Sequence, residues 1–230
     1  TTTYERPIEI MRCLESVQNQ TYKNFKHIIV NDSPTADYSK LEEKVSTLSN
    51  VIYIKNENNL TSVDDCFELL LCNQLVYEPN GLIFMSDPVK EPESSNYAAC
   101  QLVLNTIRIE FRVARATPIK SGHFVTFWKR NEKGLTTPYD MKDMIDLFVV
   151  CVRERDKFGQ FVFPKNVLVS RNIISVDGKG GKRAIRVYAP WVSVESSQAL
   201  KTQNWQIKYF IDLSDNRRID FECVKELYGQ

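Results

Sequence analysis

Histidine is scarce in this 230-residue chain, with only His27 and His123. Neither has a thiol cluster beside it in sequence, so the ligand set of a structural zinc site is lacking and no metal is expected. The six cysteines, Cys13, Cys66, Cys72, Cys100, Cys151 and Cys223, include no C-x-x-C pair and are scattered along the chain. That spacing argues against a disulfide framework and for buried, reduced thiols in a cytosolic protein. No apolar run approaches the ~20 residues needed to span a bilayer. The longest candidate, residues 66–76, is broken by Asn73 and Gln74. No secretory signal is visible, and a cytoplasmic location is expected. The chain opens on Thr1 rather than Met, so a preceding segment is expected. Internal repeats are absent.

An apolar content of 43% is enough for a core. Residues 6–20 place Ile10, Cys13, Leu14 and Val17 at helical spacing, with Pro7 in the first turn. A short buried strand follows over 27–30, then a turn over 31–37, a helix over 41–48 and a strand over 51–54. The run KNENN breaks the pattern, which places a domain boundary near Asn59 and gives two domains, 1–60 and 61–230. A helix is predicted over 62–76, capped by Ser62 and favoured by Asp64 and Asp65 at its start. A second is predicted over 93–104. The pattern then changes: 107–116, 123–130, 145–153, 159–164 and 183–191 are rich in β-branched and aromatic residues. The expected fold class is α+β. Its sheet has about five strands, mostly antiparallel because the links are short, and is flanked by helices that include 196–204 and 221–227.

Two resemblances follow from longer stretches. Thr3-Tyr4-x-Arg6-Pro7, RCLESVQNQTYKNF (12–25) and IIVNDSPTAD (28–37) resemble glycosyltransferase family 2. The resemblance implies a βαβ-like fragment that begins a nucleotide-sugar site, with Asp32 on the nucleoside and Asn31 where an Asp is more usual. Transfer also requires a metal-binding D-x-D to neutralise the pyrophosphate leaving group. After Asn59 only Asp64-Asp65 is offered, at a helix start, and the strand that should precede Thr1 is missing. The fragment is therefore read as inactive in transfer. Residues 61–230 resemble the MepB-like family, through VYEPNGL (76–82), PESSNYAACQLVLN (92–105), FRVARATPIKSGHFVTFWKR (111–130), FGQFVFPK (158–165), GGKRAIRVYAPW (180–191) and QALKTQNWQIKYF (198–210). This second resemblance implies a bacterial protein with a restriction-endonuclease-like core.

The net charge of +1 is uninformative, but its distribution is not. Residues 74–210 hold 20 Lys and Arg against 13 Asp and Glu, a net of +7. Two stretches contain no acid: one with Arg112, Arg115, Lys120, Lys129 and Arg130, the other with Lys179, Lys182, Arg183 and Arg186. Aromatics are interleaved with them, among them Trp128, Tyr188 and Trp191. Such interleaving fits a groove that holds phosphates and stacks bases. The competing reading is a solvated face over core aromatics, and both stay open. The run Asp177-Gly-Lys-Gly-Gly-Lys-Arg lacks Walker A spacing and reads as a flexible Gly-rich turn, with amides and cations that could meet a phosphate.

A nuclease site needs a carboxylate near one strand and an acid-x-Lys on the next, to hold Mg²⁺ and position water. Glu93 and Glu110 are candidate acids, but Phe127-Trp128-Lys129 stands where the acid-x-Lys belongs. Read one strand over, Glu110-Phe-Arg112 is an imperfect match. Glu110 otherwise reads as an ion-pair partner of Arg108 or Arg112. Asp140, Asp143 and Asp146 form only a weak metal pattern. The sequence therefore points to a non-catalytic binder of DNA, RNA or a nucleotide, with no cofactor and no membrane partner. The phosphate contacts would come from Arg112, Arg115, Lys120, Lys129, Arg130, Lys182, Arg183 and Arg186, and the stacking from Trp128, Tyr188 and Trp191.

Overall fold

A computed structural model describes residues 2–3, 7–21, 25–31, 37–55, 63–91, 94, 97–131 and 133–229. The chain divides into two units, Thr1–Leu70 and Leu71–Gln230. The expected boundary at Asn59, the Ser62 cap, Asp32 and Glu93 lie outside the described residues.

In the first unit strands and helices alternate: β1 (Thr2–Thr3), α1 (Pro7–Gln18), β2 (His27–Asn31), α2 (Ser39–Ser46) and β3 (Val51–Lys55). A helix between successive strands returns the chain in the same direction, so the sheet β1-β2-β3 is parallel. The two residues of β1 thus supply a short strand where the sequence pattern showed none. Pro7 opens α1 where a missing N–H costs nothing. Ile10 and Leu14, one turn apart, pack with Ile29, Tyr38, Leu41 and Val45 into this unit's core. Asn31 is buried and donates from Nδ2 to the Tyr53 hydroxyl at 2.9 Å. That hydroxyl donates to Glu42 Oε1 at 3.2 Å, and burial pushes its pKa up to about 12.

The second unit begins at the end of α3 (Val63–Cys72), which widens into a π-helical turn over Asn73–Tyr77. Its strands are β4 (Val89–Lys90), β5 (Cys100–Leu104), β6 (Ile107–Val113), β7 (Arg115–Ala116), β8 (His123–Thr126), β9 (Trp128–Arg130), β10 (Thr136–Pro138), β11 (Leu147–Glu154) and β12 (Lys157–Pro164). After these come α4 (Lys165–Ser170), β13 (Ala184–Val187), α5 (Ser197–Gln206), β14 (Phe210–Asp212) and α6 (Phe221–Tyr228). The predicted strands do not share one sheet. A six-stranded sheet runs β14-β12-β11-β6-β5-β4, with only β11 and β6 parallel. β13-β8-β7 form a separate antiparallel sheet, and β9 pairs with β10.

The helix expected over 93–104 is instead β5 in its last five residues. Cys100, Leu102 and Leu104 are buried while Gln101 is exposed, the period of two of a strand. The hairpin to β6 turns at Asn105, whose left-handed φ of 54° suits a two-residue loop. In β11, residues 147–152 are all buried, which requires cover on both faces.

β12 approaches β14 through Gly159. A Cβ there would stand 2.2 Å from Phe210 Cζ and 2.7 Å from the Ile211 carbonyl oxygen. The backbone oxygen cannot move without breaking the pairing of Gly159 with Asp212. Gly159→Ala is therefore expected to lower unfolding free energy by about 1–3 kcal/mol in urea titration. An unchanged midpoint would show that the strands can separate.

Candidate functional site

β13 alternates. Ile185 and Val187 enter the core, and Arg186 takes the opposite face, towards a cleft. The outer edge of β13 is met by a side chain in place of another strand. Gln206 on α5 donates from Nε2 to the Arg186 carbonyl at 2.9 Å, and its Oε1 accepts from the Tyr188 N–H at 2.9 Å. Ser196 caps α5 by accepting from the Ala199 N–H at 3.1 Å. Between α5 and β13 lies a cleft of about 610 Å³. Its wall carries Lys120, Arg171, Lys182 and Arg186, together with Tyr188 and Trp205, and no carboxylate among the described residues.

Each cation is held differently. Arg186 Nη1 donates to the carbonyls of Lys120, Ser121 and Gly122, each at 3.2 Å, and Nη2 donates to Thr117 Oγ1 at 2.7 Å. Arg186 thereby shapes the 117–122 loop that carries Lys120. Gly122 has a φ of 79°, and a Cβ there would lie 2.6 Å from Tyr188 Cδ1, so the tyrosine ring rests on bare backbone. Arg171 lies over the Trp205 ring, 5.2 Å from its centroid. The strand register adds a second feature: Arg115, Phe124 and Arg186 oppose one another across β7, β8 and β13, on one face.

Of the eleven sequence-predicted residues, Lys120, Lys182, Arg186 and Tyr188 meet at this cleft, and Arg115 joins the row beside it. Arg183 is exposed next to them and donates to Thr136 Oγ1 at 3.3 Å. Trp128, Lys129 and Arg130 lie apart on β9. There Lys129 pairs with Asp143, while Arg130 donates to the Gly134 carbonyl and covers the Trp128 ring at 5.8 Å. Trp191 packs against the core, edge-on to Phe210 at 5.3 Å. Arg171 and Trp205 were missed because a six-residue helix and the Trp of α5 carried no charge pattern.

Arg112 requires correction. It is 2% exposed and cannot reach an external phosphate. Its Nη1 is 3.1 Å from Glu110 Oε2, its Nη2 is 2.8 Å from Glu91 Oε2, and Nη2 also donates to the Tyr139 hydroxyl at 2.7 Å. Tyr139 donates to Glu110 Oε2 at 3.0 Å. One guanidinium thus faces two carboxylates. Burial pushes Glu110 up to about 7, Arg112 opposes this, and Glu91 adds to it.

The other motifs serve structure. Amides of the Gly-rich run are already used: Gly178 N–H donates to Asp140 Oδ2 at 2.9 Å, Gly181 to Asn172 Oδ1 at 3.2 Å, Lys179 to the Val176 carbonyl at 3.0 Å and Lys182 to that of Ile173 at 2.8 Å. These donors are not turned towards a phosphate, and the turn is anchored. Asp140 holds this loop, Asp143 pairs with Lys129, and Asp146 takes Arg108 in a fork at 2.7 and 2.8 Å. No group of three or more His, Cys, Asp or Glu is placed to hold a metal ion among the described residues. Among the same residues, no helix is long and apolar enough to cross a membrane.

The Glu110 pKa gives a pH prediction. A carboxyl raised in the folded state binds its proton more tightly there than when unfolded. The contribution of Glu110 to stability is therefore fully present below its ordinary value of 4.5 and is lost as pH rises to about 7. Glu110→Gln keeps a neutral side chain beside Tyr139 and is expected to reduce that fall by about 1–3 kcal/mol in denaturant titrations across this range. A pH profile identical to the parent's would contradict the assignment.

The glycosyl transferase family 2 model matches residues 1–63. A crystal structure of MepB is 32% identical and superposes with a TM-score of 0.54, over 56% of this chain and 87% of that one. A search of curated proteins gave no match. The MepB-like model matches residues 91–212, more than half of the sequence, and the cleft falls largely within them. The chain belongs to the MepB-like family.

Proposed function

We propose that the second unit binds nucleic acid along its phosphate backbone, without cutting it. The observation that carries this reading is the cleft lined by Lys120, Arg171, Lys182 and Arg186 with no carboxylate on its described wall. Four cations facing one solvent space without local neutralisation attract a polyanion and release its counterions on binding. The row Arg115–Phe124–Arg186 adds an aromatic face between two positive charges, an arrangement suited to stacking a base in a field that attracts its phosphates.

Several placements speak against cleavage. Phe127 is buried in the core, Lys129 is paired with Asp143, and Glu110 is enclosed with Arg112. No carboxylate, metal and lysine constellation is assembled from them. A restriction-endonuclease-like core enters this reading only as architecture suited to nucleic acid. A cytoplasmic setting is the one in which such a ligand would be met.

Binding of the full chain to labelled single- and double-stranded DNA and RNA across a salt series tests the proposal. With about four phosphates engaged, log K is expected to fall against log salt with a slope of about −3 to −4. Lys120→Ala with Lys182→Ala should make that slope shallower by about 2 while affecting all sequences alike. Absence of binding at low salt would overturn the reading.

A further inference from the structure

Two cysteines far apart in sequence meet in the second unit. Cys72 Sγ and Cys151 Sγ are 3.3 Å apart, although 79 positions separate them in sequence, and both side chains are fully buried. Cys72 is the last residue of α3, immediately before the π-helical turn, an irregularity that is enriched at functional sites. That turn ends at Tyr77, whose ring meets Tyr228 of α6 edge-on at 5.8 Å. Cys151 lies opposite Gln160 across the β11–β12 ladder, so the two side chains share a face of the sheet. Gln160 is 0% exposed. Its amide and the hydroxyls of Tyr77 and Tyr228 are close enough to perturb one another, yet make no hydrogen bond of normal geometry among the described residues. Polar groups this deeply buried are normally satisfied. Here they lie near enough to a pair of sulfur atoms for the cysteines to act on both tyrosines.

We infer that Cys72 and Cys151 form an oxidisable dithiol, converted to a disulfide by a small neutral peroxide. One thiol gives up its proton, and the thiolate attacks a peroxide oxygen. The O–O bond breaks, and with hydrogen peroxide the leaving hydroxide takes the proton and departs as water. A sulfenic acid remains on the first sulfur. The second sulfur then attacks it: the S–S bond forms, the S–O bond breaks, and the second thiol's proton leaves with that oxygen as another water. The two sulfur atoms together lose two electrons and the peroxide gains them. The Gln160 amide and the tyrosine hydroxyls are the nearby donors for the oxygen of the intermediate. Both thiols are fully buried, so the reaction calls for a small uncharged oxidant and disfavours a bulky thiol reagent. The product ties the end of α3 to a central strand.

The full chain, treated with hydrogen peroxide under native conditions, is denatured in N-ethylmaleimide and mapped as peptides without reduction. The expected result is a Cys72–Cys151 cross-link with loss of two hydrogens, and the other four cysteines alkylated. The melting temperature should rise on the order of 10 °C and return with dithiothreitol. Cys72→Ala and Cys151→Ala should each leave a sulfenic acid on the remaining partner, trapped by dimedone present during denaturation. Recovery of both cysteines alkylated in the wild-type chain, or of scrambled pairings, would overturn the inference whether or not the variants fold.

Discussion

The hairpin of β11 and β12 is buried on both faces, and the second unit is arranged to satisfy that requirement. Six consecutive residues of β11 and six of β12 are excluded from water. Because side chains alternate, the hairpin presents two apolar surfaces, and each needs its own cover. Phe148, Val150 and Val152, with Phe161 and Phe163, face Val125, Phe127, Ile185, Val187 and Leu168. This is the underside of the small sheet whose outer face carries Arg186. The intervening position Cys151 faces the other way and meets Cys72. One physical constraint therefore fixes both the platform of the basic cleft and the meeting of the two thiols.

The cleft depends on polar bonds in the same way that the core depends on apolar burial. β13 is short and has a strand on only one side, so its second edge would expose backbone groups. Gln206 satisfies two of them from α5, and this sets the spacing of the cleft walls. Arg186 does the same for the 117–122 loop. A guanidinium used this way keeps its charge while giving up its donors, so the exposed Lys120 and Lys182 are left to make contacts. The buried Arg112 shows the alternative fate of a basic residue, in which the charge is spent on Glu91 and Glu110 within the protein.

Much of this was legible in the sequence. The first unit's strand–helix alternation, the apolar run of β11, the strands at 107–113 and 157–164 and the helices at each end of the second unit follow from periodicity and turn residues. The helix misread at 93–104 shows the limit of that method, since a five-residue strand next to small residues fits either period. Clustering basic residues along the sequence brought out Lys120, Lys182 and Arg186 but wrongly added Arg112, because whether a charge faces water or a buried acid is a matter of tertiary packing. Glu110, two residues away on the same strand face, was the local sign of its partner. Arg171 and Trp205 come to the cleft from separate elements, and the Cys72–Cys151 contact spans 79 positions. Neither has a local signal.

The claim that the cleft is the nucleic-acid surface is tested most directly by hydrogen–deuterium exchange of the full chain with and without a bound oligonucleotide. Protection is expected in the 117–126 and 182–188 segments and along α5, with β9 and β10 unchanged. Protection confined to β9 and β10, or none in the cleft while the oligonucleotide is bound, would place the interface elsewhere and contradict the account.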